Sequence, residues 1–214
     1  MIANFLSDPV SVILTLASVI AALSIHEFAH AWVAWKLGDT TAESEGRLTL
    51  NPLAHIDPWG FLFLVLAGFG WGKPVMVDNR NFRWKKWGTA AVSFAGPLSN
   101  FLFAAAIMGT LVILSTAGLS IIQSSQNLGI EFIFRLALIN VMLGAFNLLP
   151  IPPLDGSKVF YAIANIPIEW QEKAEQYGPL LLLAIILIDI IFSVGILSPY
   201  LTAVVRGFFS LFGV

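Results

Sequence analysis

A long, predominantly apolar run from about Val10 to Leu37 constrains the fold of this chain more than any other feature of its sequence. A helix needs about 20 apolar residues to cross the roughly 30 Å hydrocarbon core of a bilayer, and this run is longer than that. The whole chain has 57% hydrophobic and only 11% charged residues, whereas a soluble domain carries about 25% charge. We therefore predict an integral membrane protein whose first crossing is this run.

The segment His26-Glu27-Phe28-Ala29-His30 lies inside this run and forms the pattern HExxH on a predicted helix. Two histidines four residues apart lie on one helix face, one turn above the other. Their imidazoles can share a metal ion, and the glutamate between them can reach a metal-bound water. Polar residues inside an apolar span are costly and are usually functional. The pattern predicts one zinc ion per chain and hydrolytic chemistry.

The remaining apolar stretches predict an all-α polytopic membrane protein with about five transmembrane helices. After the first run, the spans lie at about Gly88–Ala117, Gly129–Leu149, Leu180–Val194 and Leu197–Phe212. The apolar stretch Trp59–Trp71 is too short to cross, so we predict that it is a re-entrant segment. Short apolar residue patterns on either side of it, at 47–50 and 73–77, predict two short β-strands.

The positions of lysine and arginine predict the orientation of the chain in the membrane. Seven of the eleven lie between the first and second spans, at Lys36, Arg47, Lys73, Arg80, Arg83, Lys85 and Lys86. Two more follow the third span, and the loop between the second and third spans has none. By the positive-inside rule, the regions 38–87 and 150–177 are cytosolic and the N-terminus is outside. This requires that residues 55–71 enter and leave the membrane on the same side.

A catalytic zinc ion usually has three protein ligands and an open position for water, so the two histidines need a third partner. Asp155 is our choice, because the prolines before it end the third span and non-helical backbone near membrane depth lines a wet cavity. On the predicted topology, the cytosolic ends of the first and third spans lie on the same side, so His30 and Asp155 can meet. Glu43 and Glu45 are the competing ligands, by analogy with soluble zinc proteases that use a downstream glutamate. As exposed acids in a polar loop, they are otherwise solvated charges.

Four other polar residues have more than one interpretation. His55 is either a loop histidine that bonds nearby backbone or a residue at the cavity mouth that holds substrate. Asn147 either satisfies helix-terminal carbonyls or donates to the oxyanion that forms during hydrolysis. Asn100 either joins two helices or belongs to the substrate cavity. Asp189 is an acid within an apolar run, to which we assign no role.

Several motifs in the chain together resemble the site-2 protease family of intramembrane zinc metalloproteases. They are HEFAH (26–30), GRLTLNPLAHIDPWG (46–60), WGKPV (71–75), AGPLSN (95–100) and FNLLPIPPLDG (146–156). The resemblance implies that His26, His30 and Asp155 bind zinc and that Glu27 is the catalytic acid and base. It also implies that Asn147 binds substrate or the oxyanion. The chain is most similar to the compact members that lack a PDZ domain.

These observations lead us to expect a single transmembrane protease domain over 1–214, with a motif-bearing core at about 10–160 and C-terminal helices at about 178–212. Its substrates would be transmembrane proteins or peptides, cut within or near the bilayer of a prokaryotic cell membrane, at a site open to the cytosol. The alternatives are a zinc-binding membrane protein without protease activity, either a metal transporter or a module that binds membrane helices. The sequence has no basic run of the kind that binds nucleic acid.

Overall fold

The computed structural model describes residues 7–68, 70–117, 127–192 and 194–213. Within these ranges the chain is helical and no β-sheet is formed, which confirms the predicted all-α class. The α-helices are α1 (Pro9–Lys36), α2 (Thr41–Ser44), α3 (Pro58–Ala67), α4 (Lys85–Thr116), α5 (Leu128–Asn147), α6 (Asp155–Ala164), α7 (Ile168–Phe192) and α8 (Ser198–Ser210). Single turns of 3₁₀ helix lie at Pro52–Ala54 and Asn79–Asn81.

Three of these helices, α1, α4 and α5, are long and apolar enough to cross a membrane, with 28, 32 and 20 residues. They correspond to the first three predicted spans. The other predicted spans fall on α7, whose first half is charged, and on α8, whose 13 residues reach only about 20 Å. Three crossings are therefore supported, and the predicted count of about five is not confirmed.

Helix α1 begins and ends where its sequence provides the right groups. The Asp8 carboxylate accepts a hydrogen bond from the Ser11 N–H, and Pro9 occupies the first turn, where its missing N–H costs nothing. At the other end, Gly38 has a φ of 105°, a conformation that favours glycine. The chain can therefore turn sharply after Lys36 and leave the helix.

The helix bundle is held by apolar contacts among α1, α4 and α5. A buried cluster between α4 and α5 consists of Ala104, Met108, Leu111, Ala137 and Val141. Phenylalanines of α8 pack against this cluster, and the Tyr200 hydroxyl of α8 donates to the Ala145 carbonyl of α5 at 3.1 Å. The small residues in the cluster allow the helices to approach closely, as is typical of helix packing in membranes.

The segment that contains α3 returns to the point where it started. One antiparallel bridge joins Ile56 to Gly72, and the Lys73 N–H donates to the His55 carbonyl at 2.8 Å. This closure brings the two ends of the segment together, and the predicted re-entry into the membrane is not confirmed. Within the described part of the chain, however, the predicted strands at 47–50 and 73–77 do not form. Residues 47–50 and 73–77 are neither helical nor paired with another strand.

Buried polar side chains hold the loop between α1 and α4 together, in addition to a small apolar cluster in which Phe82 packs against α1 and α4. The Asp39 carboxylate is fully buried and accepts hydrogen bonds from the N–H of Asp78 at 2.8 Å and the side chain of Asn81 at 3.0 Å. The Arg47 guanidinium donates to the carbonyls of Ala54 and Lys73. These bonds satisfy backbone groups of Ala54, Lys73 and Asp78 without a second strand.

The pKa of Asp39 reflects these bonds. Burial alone would raise it, but hydrogen bonds from Thr41, Asn81 and the Asp78 backbone outweigh burial and lower the pKa from its ordinary value of 3.8. A carboxyl group with a lowered pKa stabilises the folded state above its ordinary pKa, and this contribution is lost as the pH falls through the lowered value.

We predict that Asp39→Ala lowers the free energy of unfolding by about 2 kcal/mol at pH 7, because it leaves buried donors unpaired. The difference from wild type should be constant above pH 5 and shrink below about pH 4. Thermal unfolding of the detergent-solubilised protein across this pH range would measure it. Glu45→Ala, which changes an exposed acid of the same loop, is the control and should have no effect. An equal loss in both variants would contradict the role of Asp39.

Candidate active site

Three potential metal ligands meet where α1 faces the first residue of α6. His26 and His30 project from α1, and their rings are 4.6 Å apart and nearly perpendicular. The Asp155 Oδ2 atom lies 3.0 Å from His26 Nε2 and 3.3 Å from His30 Nε2. Their ligand atoms all lie within 4.8 Å of one another. The structure thus brings together the three residues that the sequence suggested.

Asp155 reaches this position because of the chain that precedes it. Helix α5 ends at Asn147, and the proline-rich segment after it leads directly into α6, which begins at Asp155. Gly156 permits the close turn, because a Cβ atom there would lie only 2.2 Å from the Leu148 carbonyl oxygen. An ionised carboxylate is the form of Asp155 that can bind a metal ion.

Hydrogen bonds behind the imidazoles fix which ring nitrogens face Asp155. His26 Nδ1 lies 2.7 Å from Asn100 Oδ1, and His30 Nδ1 lies 2.7 Å from the Val92 carbonyl oxygen. Both oxygens only accept, so both Nδ1 atoms carry the proton, and in a neutral ring Nε2 then presents a lone pair. Two such lone pairs and a carboxylate oxygen face one another at short distance. A cation placed between them would bind all three.

The distances fit a metal ion of the size and preference of zinc. Ligands placed tetrahedrally at about 2.0–2.1 Å from zinc are about 3.3 Å from one another. The separations of 3.0 and 3.3 Å between Asp155 Oδ2 and the two Nε2 atoms are close to this value. Two imidazoles and one carboxylate, with a cavity on the remaining side, form the donor set of a catalytic zinc site.

Asn140 extends the hydrogen-bond chain behind His26 into a third helix. Both N–H groups of the Asn100 amide are used, one by the Ala22 carbonyl at 3.0 Å and the other by Asn140 Oδ1 at 2.8 Å. The Asn140 amide in turn donates to the Leu136 carbonyl at 2.8 Å. This arrangement fixes Asn100 with its oxygen toward His26, so a buried polar chain across α1, α4 and α5 orients one ligand.

Gly96 provides the room for both imidazoles against α4. A Cβ atom at Gly96 would lie 2.4 Å from His30 Nε2 and 2.7 Å from His26 Cε1. These distances are shorter than any van der Waals contact allows. The ligands can therefore lie beneath α4 only because this position carries no side chain.

A cavity of about 460 Å³ opens beside the three ligands. Glu27, His26, His30 and Asp155 are part of its wall, together with residues from the loop, α4 and the α5–α6 connection: Pro74, Val75, Met76, Val77, Asn79, Phe82, Thr89, Val92, Ser93, Asn147, Pro153 and Lys158. The Glu27 carboxylate is held by the Val75 N–H, which donates to Oε2 at 2.9 Å. A carboxylate, a metal-ligand set and a polar cavity are thus adjacent.

Asn147 lines this cavity, as the oxyanion interpretation requires. Its side-chain amide donates to the Leu143 carbonyl at 3.0 Å, which is also the helix-terminal role that the sequence offered as the alternative. One of its two amide hydrogens is used in this bond, and the other is available to a group in the cavity.

His55 and Asn100 are buried away from the cavity wall. His55 is fully buried in the loop, where its Nε2 lies 2.8 Å from the Thr49 carbonyl oxygen. Asn100 is also fully buried and lies behind His26 rather than beside a substrate path. Each side chain forms at least one hydrogen bond within the protein, although His55 Nδ1 has no partner among the described residues.

The remaining acidic candidates lie apart from the three ligands. Glu43 accepts a hydrogen bond from the Trp35 indole at 3.1 Å, and Glu45 is exposed in the loop. Asp189 accepts from the Ile196 N–H at 2.7 Å, which ties the end of α7 to the segment before α8. Among the described residues, the metal-ligand group of His26 and His30 is completed by Asp155 and does not contain Glu43 or Glu45.

Sequence reasoning missed the positioning roles of Asn140, Gly96 and the Val75 N–H. A polar residue in the middle of an apolar span is a signal for function, and this signal could have identified Asn140. The requirement for Gly96 depends on how closely α4 approaches α1, and the bond from Val75 depends on a loop with no regular secondary structure. Neither is visible in a local pattern.

The fold and the site together define a helical membrane protein with a metal-binding HExxH centre. The model of peptidase family M50 matches residues 14–188. The chain belongs to this family, so its class is that of a membrane metallopeptidase.

Comparison with curated proteins identifies relatives in several bacteria. "Putative zinc metalloprotease YwhC" of Bacillus subtilis is 38% identical over 178 residues, which are 82% of this chain and 81% of the relative. "Putative zinc metalloprotease Rip2" of Mycolicibacterium smegmatis is 36% identical over 151 residues, 67% of this chain and 54% of the relative. The protein of the same name in Mycobacterium tuberculosis is 29% identical over 208 residues, 94% of this chain and 75% of the relative. No solved structure matches the chain.

We predict that Gly96→Ala abolishes stoichiometric metal binding, because the added methyl group displaces both imidazoles. Metal content of the purified protein, measured by mass spectrometry, would show this. Gly109→Ala is the matched control, since it makes the same change on α4 where a Cβ atom meets nothing within 4 Å. A Gly96→Ala protein that retains one metal ion per chain would refute the packing argument.

Asn140→Ala should weaken zinc affinity about tenfold without removing a ligand, because residues that orient a metal-bound histidine typically contribute 10–100-fold. Asn100→Ala should weaken it at least as much. Competition with a chromophoric chelator would measure both affinities. Thr110→Ala, which removes an exposed hydroxyl from α4, should leave the affinity unchanged. Wild-type affinity in Asn140→Ala would show that the chain of amides does not orient His26.

Proposed function

We propose that this chain is a zinc metalloprotease that hydrolyses peptide bonds of transmembrane-helix substrates within or at the edge of the bilayer. The observation that carries this proposal is the position of Glu27 beside His26, His30 and Asp155 on one cavity wall. The family membership supports a peptidase, and the relatives whose names describe zinc metalloproteases support zinc as the metal.

In this proposal, His26, His30 and Asp155 hold one zinc ion. Bound zinc supplies Lewis acidity, which lowers the pKa of water toward about 7 and polarises a carbonyl group. The protein contributes the fixed geometry. The Nδ1 atoms of the two histidines are tied to Asn100 and to the Val92 carbonyl, so both rings keep their orientation through the reaction.

Glu27 moves the proton. Its Oε2 atom accepts the hydrogen bond from the Val75 N–H, which fixes the carboxylate and leaves Oε1 to take a proton from the attacking water. The same oxygen then gives the proton to the nitrogen of the leaving amine. General acid–base catalysis of this kind contributes about 10²–10⁴-fold to a rate.

Asn147 stabilises the oxyanion of the tetrahedral intermediate. The amide hydrogen that is not bonded to the Leu143 carbonyl can donate toward the cavity. Donors that are already in place when negative charge develops are worth more than donors in water, because no reorganisation is needed at that moment.

The segment 74–77, which is neither helical nor paired with another strand, is suited to hold an unwound substrate. It lines the cavity, and the N–H groups of Met76 and Val77 have no hydrogen-bond partner within the described ranges. A peptide that binds beside this segment as an added strand would satisfy these groups. The scissile amide of a transmembrane helix is hidden by its own hydrogen bonds, so the helix must unwind locally before cleavage.

The distribution of lysine and arginine supports an orientation in which the cavity opens to the cytosol and the N-terminus is outside. Lys85, Lys86 and Lys158 line the cavity beside the metal-ligand group or the cavity that adjoins it. In this orientation the chain acts as one transmembrane protease domain that draws substrate from the bilayer and water from the cytosol.

Glu27→Gln should retain one zinc ion per chain and lose about 10³-fold in kcat toward a model transmembrane peptide, because it keeps the shape of the side chain and removes the base. In the same assay, Asn147→Ala should retain zinc and lose about 10²-fold in kcat. Mass-spectrometric detection of the cleaved peptide in nanodiscs would measure both. The control is Glu43→Gln, an acid outside the metal-ligand group.

Two outcomes would contradict the proposal. Cleavage by Glu27→Gln at the wild-type rate would remove the assigned base. Wild-type protein that binds zinc and cleaves no membrane substrate, while zinc crosses the membrane of reconstituted vesicles, would favour a metal transporter.

A further inference from the structure

A second cavity of about 340 Å³ adjoins the active-site cavity. It lies between the first turns of α4, the face of α6 and the start of α7. Its wall is formed by polar and basic residues with a few apolar ones: Asn79, Lys85, Lys86, Thr89, Lys158, Tyr161, Ala162, Asn165, Ile166, Ile168 and Gln171. We refer to it as the basic cavity.

The basic cavity and the active-site cavity share part of their walls. Asn79, Thr89 and Lys158 line both. Lys158 follows Asp155 by three residues on α6, so the two side chains lie on the same side of this helix, one turn apart. A substrate peptide that extends from the metal-ligand group past Lys158 therefore enters the basic cavity.

The positive charge of the basic cavity is not neutralised by its own wall. Three lysines line it and no carboxylate does. Lys86 donates to Asn165 Oδ1 and lies 5.1 Å from the Trp87 ring centre, both uncharged partners. Lys85 and Lys158 form no ion pair with any described residue. Glu175 lies near Tyr161, whose pKa is raised by burial and by this carboxylate, but Glu175 is not part of the wall.

We propose that the basic cavity binds acidic side chains in the flank of the substrate that extends from the scissile bond toward the cytosol. This inference rests on the proposed function and adds a specificity determinant to it. Carboxylates suit the site because ammonium groups are point charges with three donors and no acceptor. The preference arises from the unneutralised charge, with Lys158 as the residue that faces both cavities.

The geometry also limits where the acidic residue lies in the substrate. One turn of helix separates Asp155 from Lys158 by about 5 Å along the axis, and a lysine side chain adds about 6 Å of reach. An extended peptide advances about 3.3 Å per residue. The acidic residue is therefore about two to three positions from the scissile bond.

Binding to full-length Glu27→Gln protein in nanodiscs of zwitterionic lipid tests the proposal without requiring cleavage. The probes are fluorescent transmembrane peptides that carry either glutamate or glutamine at each of the first six positions of one flank. We expect glutamate to lower the Kd about fivefold at two to three adjacent positions, the size typical of one partly exposed ion pair. Lys158→Glu should abolish or invert this preference.

The matched control is Lys173→Glu, which changes the net charge equally at a lysine that lies over the Trp170 ring of α7, outside both cavities. It should leave the preference unchanged. Zinc content and thermal unfolding show whether each variant folds, and Lys158→Gln provides a milder change with an intermediate preference.

Three results would overturn the inference. Equal binding of glutamate and glutamine peptides would show that the cavity does not select acids. Equal effects of Lys158→Glu and Lys173→Glu would show that the preference comes from the overall charge of the protein rather than from the basic cavity. If anionic phospholipid binding depends on Lys158 and peptide binding does not, the cavity holds lipid headgroups. Failure of wild-type protein to cleave any peptide would instead count against the proposed function, since the binding preference is measured separately.

Discussion

The contact between α1 and α4 is the interaction on which the site depends. Two imidazoles inside an apolar helix need room and hydrogen-bond partners, and α4 supplies both. Gly96 leaves the space that a methyl group would fill, and the Val92 carbonyl and Asn100 accept from the two Nδ1 atoms. Without this contact, the two imidazoles beside Asp155 would have no fixed orientation. The apolar packing of the bundle is therefore also what aligns the ligands.

The loop between α1 and α4 contacts the helix bundle at Glu27. This loop packs a small apolar cluster around Phe82 and is held by the buried side chains of Asp39, Arg47 and His55, each bonded to backbone groups. Buried polar groups that are hydrogen-bonded favour one arrangement, because alternatives leave more of these groups unpaired. This rigidity brings the Val75 N–H to the Glu27 carboxylate. The metal ligands thus depend on the helices, and the base depends on the loop.

The helix bundle and the loop between α1 and α4 explain what the sequence could and could not predict. The ligands His26, His30 and Asp155 could be predicted from the sequence. A helical periodicity and a proline break are visible in short stretches of sequence, and a charge asymmetry is visible from counting lysines and arginines. The prediction of strands at 47–50 and 73–77 was not confirmed, because an alternating or apolar pattern does not reveal whether a partner strand will lie beside it. His55 was ambiguous for the same reason. Gly96 and Asn140 act across helices, so their roles required the packing itself.

The basic cavity shows that one charge distribution can serve two purposes. Lysines at this end of the bundle fit the asymmetry that orients a membrane protein, and orientation alone requires only that they lie on that side. It does not require that Lys85, Lys86 and Lys158 surround one cavity or that this cavity adjoin the metal-ligand group. Salt screens charges that point freely into water within about 10 Å, whereas charges around a concave, partly buried space act together on whatever enters it. The grouping, rather than the number, of these lysines is what makes them a candidate for substrate selection.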